Sequence, residues 1–159
     1  MIKIEDWQDK YTKQIDEMEY AQWGDWGSSI KEYVSKKAII RVALYNDNFA
    51  GVAYGQLIKD FFWVNVICIL PQYQKMDIGT MLMNDIMDQA IIKFGVSKFE
   101  AESVLVNGKS NSKKLIENSG FVLKCQEKGF WGKKHPEVFC TECNKKPCEC
   151  NALFYVKQI

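Results

Sequence analysis

The longest apolar stretch of the chain, Phe61 to Leu70, is rich in β-branched and aromatic residues and predicts a strand buried on both faces. Pro71 ends it, because proline has no N–H to give to a sheet ladder. After a polar loop, Met81, Leu82, Ile86, Met87, Ala90 and Ile91 recur at helical spacing, which predicts an amphipathic helix up to Phe94 with those six residues on one side. Gly79 stands at its start. A buried strand that runs through a tight loop into a helix N-terminus makes an anion site, since free N–H groups and the positive end of the helix dipole point at the loop.

The flanking pattern supplies the other elements. Residues 1–5 alternate weakly and predict a short edge strand. Asp6 is placed to cap a helix over Trp7 to Tyr20, which Gly24 and Gly27 break, and Ser28 or Ser29 to cap a short helix through Val34. From Ala38 to Leu70, three strand-like runs joined by Asn46-Asp47-Asn48 and Lys59-Asp60 predict an antiparallel meander. Beyond the central helix, a strand over Lys98 to Val106, a turn at Asn107-Gly108 and a helix over Ser110 to Asn118 follow. Gly120 is suited to close that helix. A strand over 121–131, a polar cysteine-rich insertion and a final strand complete a mixed α/β (α+β) domain.

Composition narrows the class. With 159 residues, 47% hydrophobic and 26% charged, the chain reads as one globular domain. A net charge of +1 gives no support for nucleic acid or an anionic membrane as partner, and no apolar run is long enough to span a bilayer. Met1 to Trp7 carries no signal-peptide pattern, so the expected location is the cytoplasm, where six cysteines read as metal ligands or buried thiols.

Four of them, Cys140, Cys143, Cys148 and Cys150, fall within eleven residues among turn-formers and charges. So short a loop cannot bury a core of its own, and four thiolates around a tetrahedral Zn2+ would supply the ordering energy. Cys-x2-Cys is a common zinc half-site; Cys-x-Cys is less usual. Two disulfides or an iron–sulfur cluster are the alternatives. Four sulfurs leave no open position, which implies a structural metal. His135, the one histidine, stands as an alternative ligand, a substrate-site residue or a solvated side chain, and Cys125 as an unliganded strand residue.

In this order, these elements resemble the GNAT superfamily of acyl-CoA-dependent N-acyltransferases, over roughly Met1 to Lys134 plus the last strand. Gln74 to Thr80 is similar to the family's Arg/Gln-x-x-Gly-x-Gly/Ala pyrophosphate loop, and Asn111 to Phe121 to its helix ending in Glu-Lys-x-Gly-Phe. The resemblance implies a central sheet of about six to seven strands, splayed at the fourth and fifth and flanked by about four helices. It implies that Ile67, Cys68 and Ile69 pair with the pantetheine arm of acetyl-CoA. Gln74, Lys75, Met76, Asp77, Ile78, Gly79 and Thr80, with Asn111 and Ser112, would then hold the rest of the donor. The implied activity is direct acetyl transfer to a primary amine of a small molecule or protein N-terminus, in a single domain over 1–159 with a zinc loop at about 135–151. Homodimers are frequent in the family.

Two positions depart from the family pattern. Asp77 replaces the first loop glycine, and is expected to tolerate the backbone conformation and cap the helix with its side chain turned away. Ile116 stands where many members place a tyrosine that protonates the departing thiolate, which leaves Tyr73 as a candidate acid. Trp63 occupies the position of a glutamate base, leaving Asp60, Glu100, Glu102 or a water chain serving the amine as candidates, with Glu102 chosen among the side chains. Trp23 and Trp26 fall where the family forms its substrate wall. The departures keep open a second reading, a weakened acyl-CoA-binding sensor or interaction module that uses the zinc loop.

Overall fold

The computed structural model describes residues 1–26 and 28–159, so Gly27 lies outside the described residues. Its strands are β1 (Ile2–Asp6), β2 (Ala38–Tyr45), β3 (Asn48–Ile58), β4 (Phe61–Ile69), β5 (Lys98–Leu105), β6 (Val122–Glu127) and β7 (Asn151–Gln158). Its helices are α1 (Thr12–Trp23), α2 (Ile30–Tyr33), α3 (Ile78–Phe94), α4 (Lys113–Asn118) and α5 (Phe130–Lys134). The strands form one mixed seven-stranded sheet in the order β1-β2-β3-β4-β5-β7-β6.

The expected meander is present, and its first turn has a local cause. Asn46 and Asp47 both take positive φ, at 48° and 64°, as a two-residue hairpin loop requires for strands of right-handed twist. Between β3 and β4 the register slips: Tyr54 faces Val66 but Gly55 faces Val64, so Asn65 is an extra residue that kinks β4. Gly55 permits the close approach there, since a Cβ on it would sit 2.3 Å from the Trp63 carbonyl oxygen.

Two layers of helix cover the sheet. On one face Ile78, Leu82, Met83, Ile86, Met87 and Ala90 of α3 pack on Ala43, Phe62, Val64 and Phe99. Each side chain the size of Leu82 contributes about 1.5–3 kcal/mol by leaving water. On the other face Tyr11, Ile15 and Met18 join Ile30, Val42, Val52, Tyr54 and Cys68.

Several expectations need correction. Asp6 does not cap a helix: Ile2–Asp6 pairs with β2, the Asp6 carboxylate accepts from Arg41, and α1 starts only at Thr12. Gly24 closes α1 with a positive φ of 59°, while Ser29 caps α2 by accepting from the Lys31 N–H. β4 is not buried on both faces. Phe62, Val64 and Cys68 are buried, while Phe61, Trp63, Asn65, Val66, Ile67 and Ile69 stay half-buried, and Phe61 and Trp63 border an open cavity. Met81 and Ile91 face outward, and Ile78 and Met83 take their places in the core. The strand expected over 121–131 stops at Glu127, and Phe130–Lys134 coils into α5. Among the described residues no helix is long and apolar enough to cross a membrane.

Candidate functional site

The site begins where the sheet comes apart. β4 and β5 run parallel and pair only over Phe62–Val64 with Phe99–Ala101; past the Asn65 kink, β4 continues against β3 alone. Ile67, Cys68 and Ile69 therefore lie on a strand whose second edge is not taken up by β5. The gap lies at the end of β4 that leads into the loop before α3, a 17-residue helix whose first N–H groups have no partner within the helix.

That loop is built by two residues in the left-handed region, Lys75 at φ 62° and Asp77 at φ 61°. Asp77 tolerates the conformation but gives no side-chain hydrogen bond to α3, so the expected side-chain cap is absent; only its carbonyl joins the helix, accepting from the Met81 N–H at 3.1 Å. Gln74 reaches back, its Nε2 donating to the Ile69 carbonyl at 3.1 Å. A Cβ on Gly79 would come within 3.3 Å of Leu115, so this glycine lets α3 start against α4. Met76 packs on the α3-side core, Ile78 is buried in it, and Lys75 and Thr80 are exposed.

Across the gap, β5 presents Ser103, which is buried and was not singled out from the sequence. Its hydroxyl lies 2.6 Å from that of Ser112 and also meets Ser110, fixing the turn in which Asn111 is exposed. The missed signal was the serine on the apolar face of β5, between Ala101 and Leu105.

On the opposite face of the sheet, a cavity of about 440 Å3 is walled by Phe61 and Trp63, by Glu100 and Glu102, and by Phe130, Trp131, Lys134 and His135 of the α5 segment. Trp63 stands opposite Glu100 in the register. Burial raises the Glu102 carboxyl above its ordinary range, and the Lys134 ammonium partly offsets this. A carboxyl raised in this way holds a proton more readily than an exposed one, which suits a general base. Lys134 sits 4.3 Å over the Phe130 ring, which holds its charge near the cavity.

Other expected residues lie elsewhere. Tyr73 stacks on Tyr45 with centroids 5.4 Å apart, toward the β2 side of β4. Trp23 packs on the α1-side core; Trp26 packs on the cysteine cluster and meets His135 edge-on at 5.8 Å. Ile116 is buried in the α3-side core. Burial pushes the Cys68 thiol up to about 12, so it stays an unreactive thiol. Beneath the kink, Tyr54 donates its hydroxyl proton to the carboxylate of Glu19, which is 3% exposed and whose pKa burial raises. Glu19 sits on the inward side of α1 with Ile15 and Met18, a position that its charge alone does not signal.

The four cysteines converge. Their sulfurs all lie within 4.8 Å of one another, and Cys140 and Cys150 sulfurs are 3.7 Å apart. A Zn–S length of about 2.3 Å gives a tetrahedron with edges of about 3.8 Å. The Cys150 N–H donates to the Cys148 sulfur at 3.4 Å. Burial raises Cys143, yet hydrogen bonds from the backbone of Glu149 and Lys145 and with Cys140 and Cys150 outweigh it and hold that thiol at about 7. Cys125 is free and exposed, and His135 stands outside the sulfur set.

A family model described as acetyltransferase (GNAT) family matches residues 2–121. No curated protein matches the chain. Among solved structures, the chain is similar to the ribosomal-protein-S18-alanine N-acetyltransferase of Escherichia coli at 18% identity and TM-score 0.76, covering 100% of this chain and 94% of that one. It is similar to Arabidopsis thaliana Naa50 in complex with the bisubstrate analogue CoA-Ac-MVNAL, at 17% identity, TM-score 0.72 and 99% of each chain. A GNAT family acetyltransferase from Elizabethkingia anophelis with acetyl-CoA bound matches at 17% identity and TM-score 0.68, over 99% of this chain and 98% of that one. At these identities the likeness is one of fold.

Proposed function

The chain belongs to the GNAT acetyltransferase family, and from that premise we propose that it is an acetyl-CoA-dependent N-acetyltransferase acting on a primary amine of a small molecule or a protein N-terminus. The observation that carries this reading is the parting of β4 from β5 after Val64, which leaves a strand edge beside the N-terminus of α3.

The residues fit a diphosphate-bearing thioester. N–H groups of the Lys75–Thr80 loop would bind the diphosphate, with Asn111 and Ser112 holding the rest of the donor. Backbone groups of Ile67, Cys68 and Ile69 would pair with the pantetheine arm, and one N–H among them would stabilise charge on the thioester oxygen. Acetyl-CoA supplies the acyl group in activated form. Glu102 takes the proton that the amine loses as its nitrogen bonds to the acyl carbon and the carbon–sulfur bond breaks. Ile116 offers no proton, so Tyr73 would protonate the departing thiolate, which otherwise leaves unassisted. Aromatic walls at Phe61, Trp63 and Trp131 would seat the acceptor, and Trp26, beside His135, with Trp23 at the end of α1 would extend that wall.

The same reading makes one domain of residues 1–159, with a loop at about 135–151 closed on a structural Zn2+ by Cys140, Cys143, Cys148 and Cys150, and places the protein in the reducing cytoplasm. Four sulfur ligands fill the zinc shell, so the metal takes no part in acyl transfer.

Calorimetry with acetyl-CoA, followed by free-thiol release over peptides, polyamines and aminoglycosides, tests the activity. Absence of binding at millimolar acetyl-CoA would overturn it. Binding without thiol release from any amine would favour an acyl-CoA sensor, the reading to which the buried Ile116 lends weight.

A further inference from the structure

The cysteine knuckle touches more than its own loop. Toward α1, the Thr141 hydroxyl donates to the Gln22 carbonyl at 3.3 Å, Gln22 Nε2 donates to Glu142 at 3.1 Å, and Trp26 packs on the buried cysteines. Toward α5, Trp131 packs on the same cysteines, and Gly132 lies so close to Cys148 that a Cβ would fall 2.0 Å from its carbonyl oxygen. Toward the sheet, Val104 and Val106 at the end of β5 complete the cluster. Trp131 thus has two neighbours: the sulfurs behind it and the cavity in front.

We propose that one Zn2+ held by Cys140, Cys143, Cys148 and Cys150 is a tie that fixes the end of α1 to α5, so that metal occupancy sets the acceptor wall formed by Trp131, Lys134 and His135. The acceptor role of that wall rests on the acetyltransferase reading; the tie itself does not. Its physical basis is size. The span from Cys140 to Cys150 contains no regular element, and its buried members are the sulfurs, so without a cation little offsets the entropy of ordering it. α5, at five residues, is too short to persist without the surface it packs on. The donor loop has no part in the cluster, since α3 packs on the other face of the sheet.

The test is hydrogen exchange on the full chain, zinc-loaded and chelator-stripped, with zinc counted by elemental analysis. The expected result is one zinc per chain. On its removal, exchange should rise about tenfold or more in 20–26 and 130–135 as well as 138–150, with 61–94 unchanged and acetyl-CoA affinity within twofold. A rise confined to 138–150 would overturn the tie, and a rise through 61–94 would make the metal a support of the whole fold instead. Zinc well below one per chain would retire the site. Acetyl-CoA binding is read in the same samples: its absence from zinc-loaded protein refutes the acetyltransferase reading while leaving the exchange result to stand or fall alone.

Discussion

Glu102 on β5 and Lys134 on α5 face one cavity from two elements, and their charges act on each other: burial raises the carboxyl, and the ammonium draws it back down. The pair couples the sheet to the knuckle-backed helix, so the proton acceptor and the wall are not independent. A base must be ionised to work, so the rate climbs as pH rises through its pKa. Replacing Glu102 by Gln should lower kcat by roughly 10²–10⁴-fold with acetyl-CoA affinity kept. Lys134→Met should move the acidic limb of the pH–rate profile to higher pH, because the one favourable charge is gone. A profile that stays in place would remove Glu102 from the role.

Asp77 brings a carboxylate to the N-terminus of α3, where the donor diphosphate would sit. Its left-handed backbone suits glycine, so Asp77→Gly costs little conformationally. Acetyl-CoA affinity should tighten about two- to fivefold, the effect of roughly 0.3–1 kcal/mol of charge at a helix terminus. The gain should fade in high salt. Calorimetry at two ionic strengths decides it.

Glu19 and Tyr54 form a buried pair beneath the kink of β4. Tyr54→Phe leaves the carboxyl without its donor and should cost about 1–3 kcal/mol in denaturant unfolding. The pH dependence has a definite sign. Burial raises the folded pKa of Glu19 above its unfolded value, so its contribution is complete below the unfolded pKa and is lost as pH rises through the folded one. Glu19→Gln should therefore flatten the fall in stability over that interval. A variant whose stability still falls as steeply would show that the loss arises elsewhere.

Gly132 has no space for a side chain against Cys148. Gly132→Ala must push α5 or the knuckle aside, at about 1–3 kcal/mol as for overpacked cores. The expected outcome is faster zinc loss to a chelator, read with a colorimetric indicator, with the α3 loop still competent for acetyl-CoA. Retention equal to the parent protein would mean that the contact relaxes freely.

How much the chain reveals on its own depends on the range of the interactions involved. Positive-φ turns at Asn46-Asp47, the β-meander, the strand–loop–helix from Phe61 to Phe94 and the four-cysteine spacing are all local patterns. The sequence by itself determined those, and with them the family, because hydrophobic period, turn chemistry and ligand spacing act between residues near in the chain. Asp6 was misassigned because its partner, Arg41, is distant in sequence, and sheet pairing outweighs a local capping preference. Phe130 and Trp131 read as strand because aromatics suit either element, and packing of Gly132 on Cys148 favours the helix. Tertiary structure alone decided that the expected parting of β4 from β5 begins after Val64, that Ser103 and Glu19 are buried polar residues, that Glu102 faces Lys134, and that the knuckle reaches Gln22 and Trp131. Each of these joins residues far apart in the chain, and only the closed sheet brings them within a few ångströms.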